Sequence, residues 1–68
     1  MEPIDKLKAE KKGLDDRIYK LQMTYYYHDS IYNTLDKEDK DLIDQQYKAM
    51  CSYSDILERR IMKLENDR

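Results

Sequence analysis

The sequence contains no tryptophan and no phenylalanine, and only one cysteine, one histidine, one glycine and one proline among 68 residues. Each scarcity removes a class of protein. A lone cysteine forms no internal disulfide, and one cysteine with one histidine makes no zinc site. No metal and no cofactor is therefore expected. A single glycine rules out a glycine-rich phosphate loop, and the run Asp36, Asp39, Asp41, Asp44 lacks the bend glycine of a calcium loop. No apolar run approaches the roughly 20 residues of a membrane span, and the opening Met1, Glu2, Pro3, Ile4 has no leader pattern. The expectation is a cytoplasmic protein that does not enter the membrane, with Cys51 as a reduced thiol. A net charge of −2 argues against general binding to DNA.

Catalytic groups are equally sparse. Cys51 and His28 fall on different predicted helices, and nothing supplies the third member of a nucleophilic site. His28, Asp29 and Ser30 are sequence neighbours, which point apart on a helix. No catalytic residue, and no enzyme, is expected.

What is present is charge, at 41% of the chain, spread through a sequence with almost no helix breakers. That composition predicts long helices. From Ile4 an apolar stripe advances in steps of three and four through Leu7, Lys11, Leu14, Ile18, Leu21, Tyr25, His28, Tyr32 and Leu35, as on a helix facing a partner helix. Pro3 suits the start of that helix, because its missing N–H needs no partner there. Asn33 and Thr34 are poor helix residues, and Asp36 can accept a bond from the N–H three residues on. The pattern predicts helix 1 over about 3–32, a turn over about 33–36, and helix 2 over about 37–65. The second stripe is Leu42/Ile43, Gln46, Ala49/Met50, Tyr53, Ile56/Leu57, Ile61 and Leu64. The predicted fold is all-α: one domain, an antiparallel two-helix hairpin. A hairpin this small buries little core, so a homo-oligomeric helical bundle, such as a four-helix dimer or a higher ring, is expected.

The stretch from Tyr19 to Tyr32 holds five of the seven tyrosines. Tyr19, Met23 and Tyr26 fall on a different side of the helix from the main stripe, and Tyr27 and Ile31 widen that patch. Tyrosine has an apolar body and a polar tip, which suits contacts and ligand sites as well as cores. Tyr19, Met23, Tyr27, Ile31 and, from helix 2, Tyr47 are the candidate interface residues. Lys20, Tyr25, Tyr26, His28 and Arg60 are the candidate ligand residues, because aromatic rings stack on flat bases and cations grip phosphate. The charges form a weak dipole. Lys6, Lys8, Lys11, Lys12, Arg59, Arg60 and Lys63 gather at the open end, and Asp29, Asp36, Glu38, Asp39, Asp41 and Asp44 outnumber Lys37, Lys40 and Lys48 at the turn.

The Lys/Glu/Tyr/Asp richness, the run KLKAEKKGLDDRIYKLQ and the later LDKEDKDLIDQQYKAMCSYSDILERRI resemble the short proteins of bacteriophages. The helix 2 pattern Leu42, Gln46, Met50, Tyr53, Leu57, Arg60, Ile61 is similar to the hairpin domain of phage sponge proteins that counter CBASS and Thoeris immunity. It departs from that pattern at Ser52, where a glycine would be expected, and in its net acidity. The resemblance implies a homo-oligomer with ligand pockets at chain interfaces, an aromatic residue on a base, and Arg60 on a phosphate. The leading expectation is thus a non-enzymatic phage anti-defence protein that sequesters a cyclic nucleotide. The alternatives are a phage protein that binds and inhibits a host protein through its tyrosines, and a structural oligomerisation module.

Overall fold

A computed structural model describes residues 3–27 and 29–67. Four helical segments occur in order: α1 Ile4–Leu21, a π-helical turn Gln22–Tyr26, α2 Asp29–Thr34 and α3 Lys37–Asn66. The protein is all-α, with no strand among the described residues.

Local chemistry sets the boundaries. Pro3 is extended, and its carbonyl accepts from the N–H groups of Lys6 and Leu7 at 3.1 and 3.4 Å. α1 runs straight through Gly13, whose surroundings are open. The Thr34 hydroxyl donates to the Ile31 carbonyl at 2.7 Å and closes α2. Asp36 is extended, and its carboxylate accepts from the Asp39 N–H at 2.8 Å, the cap its sequence position predicts. Glu38 and Asp39 fill the first turn of α3, where the helix dipole favours negative charge.

α1 and α3 run antiparallel. Lys8 meets Glu65 at 3.7 Å, the Ser54 hydroxyl donates to Asp15 at 2.6 Å, and Gln22 donates to Tyr47 at 2.7 Å, so the partner number falls as α1 advances. The result is a rod of 50 × 17 × 14 Å. Its core is the buried cluster Leu7, Leu14, Leu57 and Ile61, flanked by Ile4, Ile18, Met50 and Leu64. Leu21 is buried beyond it toward the turn. Lys11, the polar member of the α1 stripe, is half-buried and pairs with Asp15 at 2.7 Å. That bond raises the Lys11 pKa and, with the Ser54 hydroxyl, lowers that of Asp15.

Two features differ from the pattern read in the sequence. The helix expected over about 3–32 is divided, because α1 gives way to the π-helical turn after Leu21. In that turn the Tyr27 N–H bonds to the Gln22 carbonyl, five residues back, at 2.9 Å. The extra residue changes the facing of the side chains beyond it. A continued α-helix would carry Tyr25 inward after Leu21. Here Tyr26 goes inward and gains a carboxylate and two rings as partners, which favours the wider turn. The second difference lies in α3. Of its doubled stripe, Met50, Leu57, Ile61 and Leu64 face α1. Leu42 and Ile56 do not, and Tyr53, 42% exposed, lies at the edge of the seam with its hydroxyl donating to Glu10 of α1 rather than in the hairpin core.

A tyrosine-walled cleft at the turn end as candidate functional site

Where the π-helical turn packs beside the first half of α3, a cleft of about 380 Å³ opens. Gln22, Tyr26 and Tyr27 line it from the turn, and Asp44, Tyr47 and Lys48 from α3. The α3 contributors are set by helical spacing: Asp44, Tyr47 and Lys48 lie three and four residues apart and share a side.

A polar network fixes the aromatic walls. The Tyr26 hydroxyl donates to an Asp44 carboxylate oxygen at 2.6 Å, and the Tyr32 hydroxyl lies 3.3 Å from both oxygens of the same carboxylate. Gln22 holds the Tyr47 hydroxyl at 2.7 Å. The rings pack as well. Tyr26 meets Tyr47 edge-on with centroids 5.2 Å apart, and meets Tyr32 tilted at 5.6 Å. Such pairs contribute about 0.5–1.5 kcal/mol beyond the area they bury. The Lys40 ammonium stands 5.3 Å from the centre of the Tyr32 ring, within cation–π reach. Tyr26 is thus a hub joining both helices, and its rotamer is set from three directions.

Burial first, and the Asp44 carboxylate second, push the Tyr26 phenol well above its ordinary value of 10.0. The Tyr32 phenol is raised by the same two causes. A raised folded-state value means that the fold favours the neutral phenol. That contribution is complete below the unfolded value, near pH 10, and is lost as pH climbs through the raised one. We expect the melting temperature to fall as pH rises above about 10, and to fall less steeply in Tyr26→Phe. Circular dichroism melts across that range measure it, and equal slopes would remove Tyr26 from this role.

The cleft gathers Tyr26, Tyr27 and Tyr47 from the residues singled out in the sequence. Tyr25 is half-buried but does not line it. Tyr19, Met23 and Ile31 are exposed outside it. His28 lies outside the described residues. The two expected cations are elsewhere. Lys20 is exposed on α1, and Arg60 is thirteen residues beyond Tyr47 on α3, roughly 20 Å along the axis at 1.5 Å per residue. Within one chain neither lines the cleft, and the cation that does is Lys48. The sequence pattern did not single out Gln22, Asp44 or Lys48. The available signal was the antiparallel pairing itself, which puts residues near 44–48 opposite those near 22–26.

At the open end a second groove is lined by Lys8, Lys11, Lys12, Asp15, Asp16, Glu58 and Glu65 around Ile61. Lys11 lies 2.7 Å from Asp15 and 3.9 Å from Glu58. The basic end expected from the sequence is therefore partly neutralised by its own carboxylates, in solvent-screened pairs. No cluster of His, Cys, Asp and Glu suited to a metal ion occurs among the described residues. No helix among them is long and apolar enough to cross a membrane.

Comparison with protein families gives a match to the Sequestin family model over residues 1–63. Comparison with curated proteins and with solved structures gives no match.

Proposed function

We propose that this chain, which belongs to the Sequestin family, is a non-enzymatic phage anti-defence protein of the host cytoplasm. In this reading it sequesters a cyclic nucleotide immune signal at the chain interfaces of a homo-oligomer. The observation that carries the reading is the cleft between the π-helical turn and α3. Its walls are tyrosine rings, which offer stacking worth about 1–3 kcal/mol per base. Its rim holds one cation, Lys48, for a phosphate, and one carboxylate, Asp44, able to accept from an amino or hydroxyl group. Its volume of about 380 Å³ lies at the small end of ligand sites. One base and its phosphate fill such a space, and a second chain would have to cover the rest of a cyclic dinucleotide. Tyr27, 68% exposed on the cleft wall, is placed for that cover, and Arg60 or Lys20 of another chain can add positive charge. The family's name, which points to sequestration, agrees with a binding role.

The test is a thermal melt with cyclic dinucleotides, cyclic trinucleotides and cyclic ADP-ribose isomers, each in turn. A ligand that binds only the folded form, at about 100 times its Kd, stabilises by about 2.7 kcal/mol, a shift of roughly 10–20 °C for a chain this short. One such ligand, with the shift lost in Lys48→Ala, supports the reading. No shift with any of them ends it. The exposed row Tyr19, Met23, Tyr27 and Ile31 favours the second reading, a protein that blocks a host protein through its tyrosines. In that case one host protein is retained on the immobilised chain and lost with Tyr19→Ala/Tyr27→Ala.

A further inference from the structure

α3 carries a second stripe that the hairpin covers only in part: Leu42, Gln46, Ala49 and Ile56 are exposed, Tyr53 is exposed with its hydroxyl on Glu10 of α1, and Arg60 is half-buried. Leu42, Gln46, Ala49, Tyr53, Ile56 and Arg60 advance in alternating steps of four and three. They run one residue out of step with the row of Met50, Leu57 and Ile61 that faces α1, and so lie about 100° around the helix from it. Leu42 and Ile56 are each more than half exposed, although neither has a polar tip to offer water. Alternating steps of this kind, sustained over much of a helix, are how a sequence specifies a helical neighbour.

We propose that this stripe pairs with the same stripe of a second copy, the two α3 helices lying antiparallel about a two-fold axis between Ala49 and Tyr53. The proposal rests on the homo-oligomeric part of the function proposed above and not on its ligand. Charge identifies the occupant. The first turns of α3 carry Glu38, Asp39 and Asp41 against Lys37 and Lys40, and its last turns carry Arg59, Arg60 and Lys63 against Glu58 and Glu65, so the two ends differ in the sign of their net charge. Antiparallel pairing sets the acidic start of each helix beside the basic end of the other, whereas parallel pairing opposes like charges. The helix dipoles run the same way, with each positive end beside a negative one. A two-fold contact uses one patch twice, so the patch must complement itself. A helix whose two ends differ in the sign of their net charge does so when it is turned end over end. Tyr53 of each copy then packs over Ala49 of the other, a large residue against a small one.

Light scattering on the full chain after size exclusion tests this. The wild-type mass should be an even multiple of the chain mass. Ile56→Glu should halve it, with the helical circular dichroism retained because Ile56 lies outside the core. Met62→Glu, an equally exposed apolar position on the other side of α3, should leave it unchanged (52% and 54% exposed, respectively). Charge reversal fixes the orientation. Glu38→Lys/Asp41→Lys and Arg60→Glu/Lys63→Glu should each lose the pairing alone and regain it when mixed. A single-chain mass for the wild type overturns the proposal, as does an unchanged mass in Ile56→Glu. Failure of the two charge variants to pair overturns the antiparallel arrangement. The ligand reading fails separately: a paired wild type that no cyclic nucleotide stabilises leaves this interface standing. Ligand binding by an unpaired Ile56→Glu chain leaves the cleft standing without it.

Discussion

Leu57→Ala is expected to cost about 2–5 kcal/mol, the range for emptying a fully buried leucine site. Leu57 is 0% exposed and lies in the cluster with Leu7, Leu14 and Ile61. Two helices side by side cannot close over the gap, because each supplies only one row of side chains to the seam. Native domains of ordinary size retain about 5–15 kcal/mol in total, and a hairpin of 68 residues sits at the low end. The substitution should lower the melting temperature by at least about 10 °C, at 4–8 °C per kcal/mol for so small a chain. Loss of the helical signal at room temperature in dilute solution, with partial recovery at high concentration, is the expected extreme. A thermal melt monitored by circular dichroism measures it. A shift of only a degree or two would mean that the seam between α1 and α3 is not what holds the chain together.

Tyr26→Ala is expected to produce the second large effect, and a different one. It removes the bond to Asp44 and both ring contacts, to Tyr32 and Tyr47, while α1 and the aliphatic core stay intact. A hydrogen bond to a charged group contributes about 1.5–3 kcal/mol. The loss should concentrate at the turn end, so backbone amides of residues 22–47 should exchange with solvent sooner while those of residues 7–14 and 57–61 stay protected. Binding of whatever enters the cleft should weaken about 5- to 150-fold if Tyr26 stacks on one base. Tyr26→Phe separates the two roles: it keeps the ring and loses only the bond to Asp44. Uniform exchange across the chain in Tyr26→Ala would contradict the division into an aliphatic open end and an aromatic turn end.

The contrast explains what the sequence made legible. The α1 stripe could be read because only one set of positions is apolar, and Leu7, Leu14 and Leu21 are buried as that spacing predicts. The α3 stripe was ambiguous because two heptads overlap, one residue apart. Leu42 and Ile43, Ala49 and Met50, Ile56 and Leu57 are adjacent apolar pairs, and hydropathy alone does not say which member faces α1. Packing decides: Leu57 is buried, Ile56 is exposed, and Tyr53 goes with Ile56. The π-helical turn had no sequence signal of its own. Its cause is tertiary, since the extra residue is stabilised by Asp44 and Tyr47 on another helix. For that reason the inward tyrosine is Tyr26, where the α-helical spacing predicts Tyr25. Arg60 lies toward the open end, where the antiparallel pairing read in the sequence puts it, away from the tyrosines of the cleft.

The wider turn also bears on how such a chain changes over generations. Loss of a single codon between Leu21 and Tyr26 would leave composition, charge and the aliphatic seam almost untouched, and the remaining residues could close into an ordinary α-helix. Tyr26 would then stand four residues after Leu21, the position that an α-helix turns inward, and its ring would stay beside Asp44. The wider turn therefore acts as a one-residue insertion that the helix has absorbed, and the smallest in-frame loss a gene can suffer there would leave both the aromatic wall of the cleft and the α1–α3 seam whole.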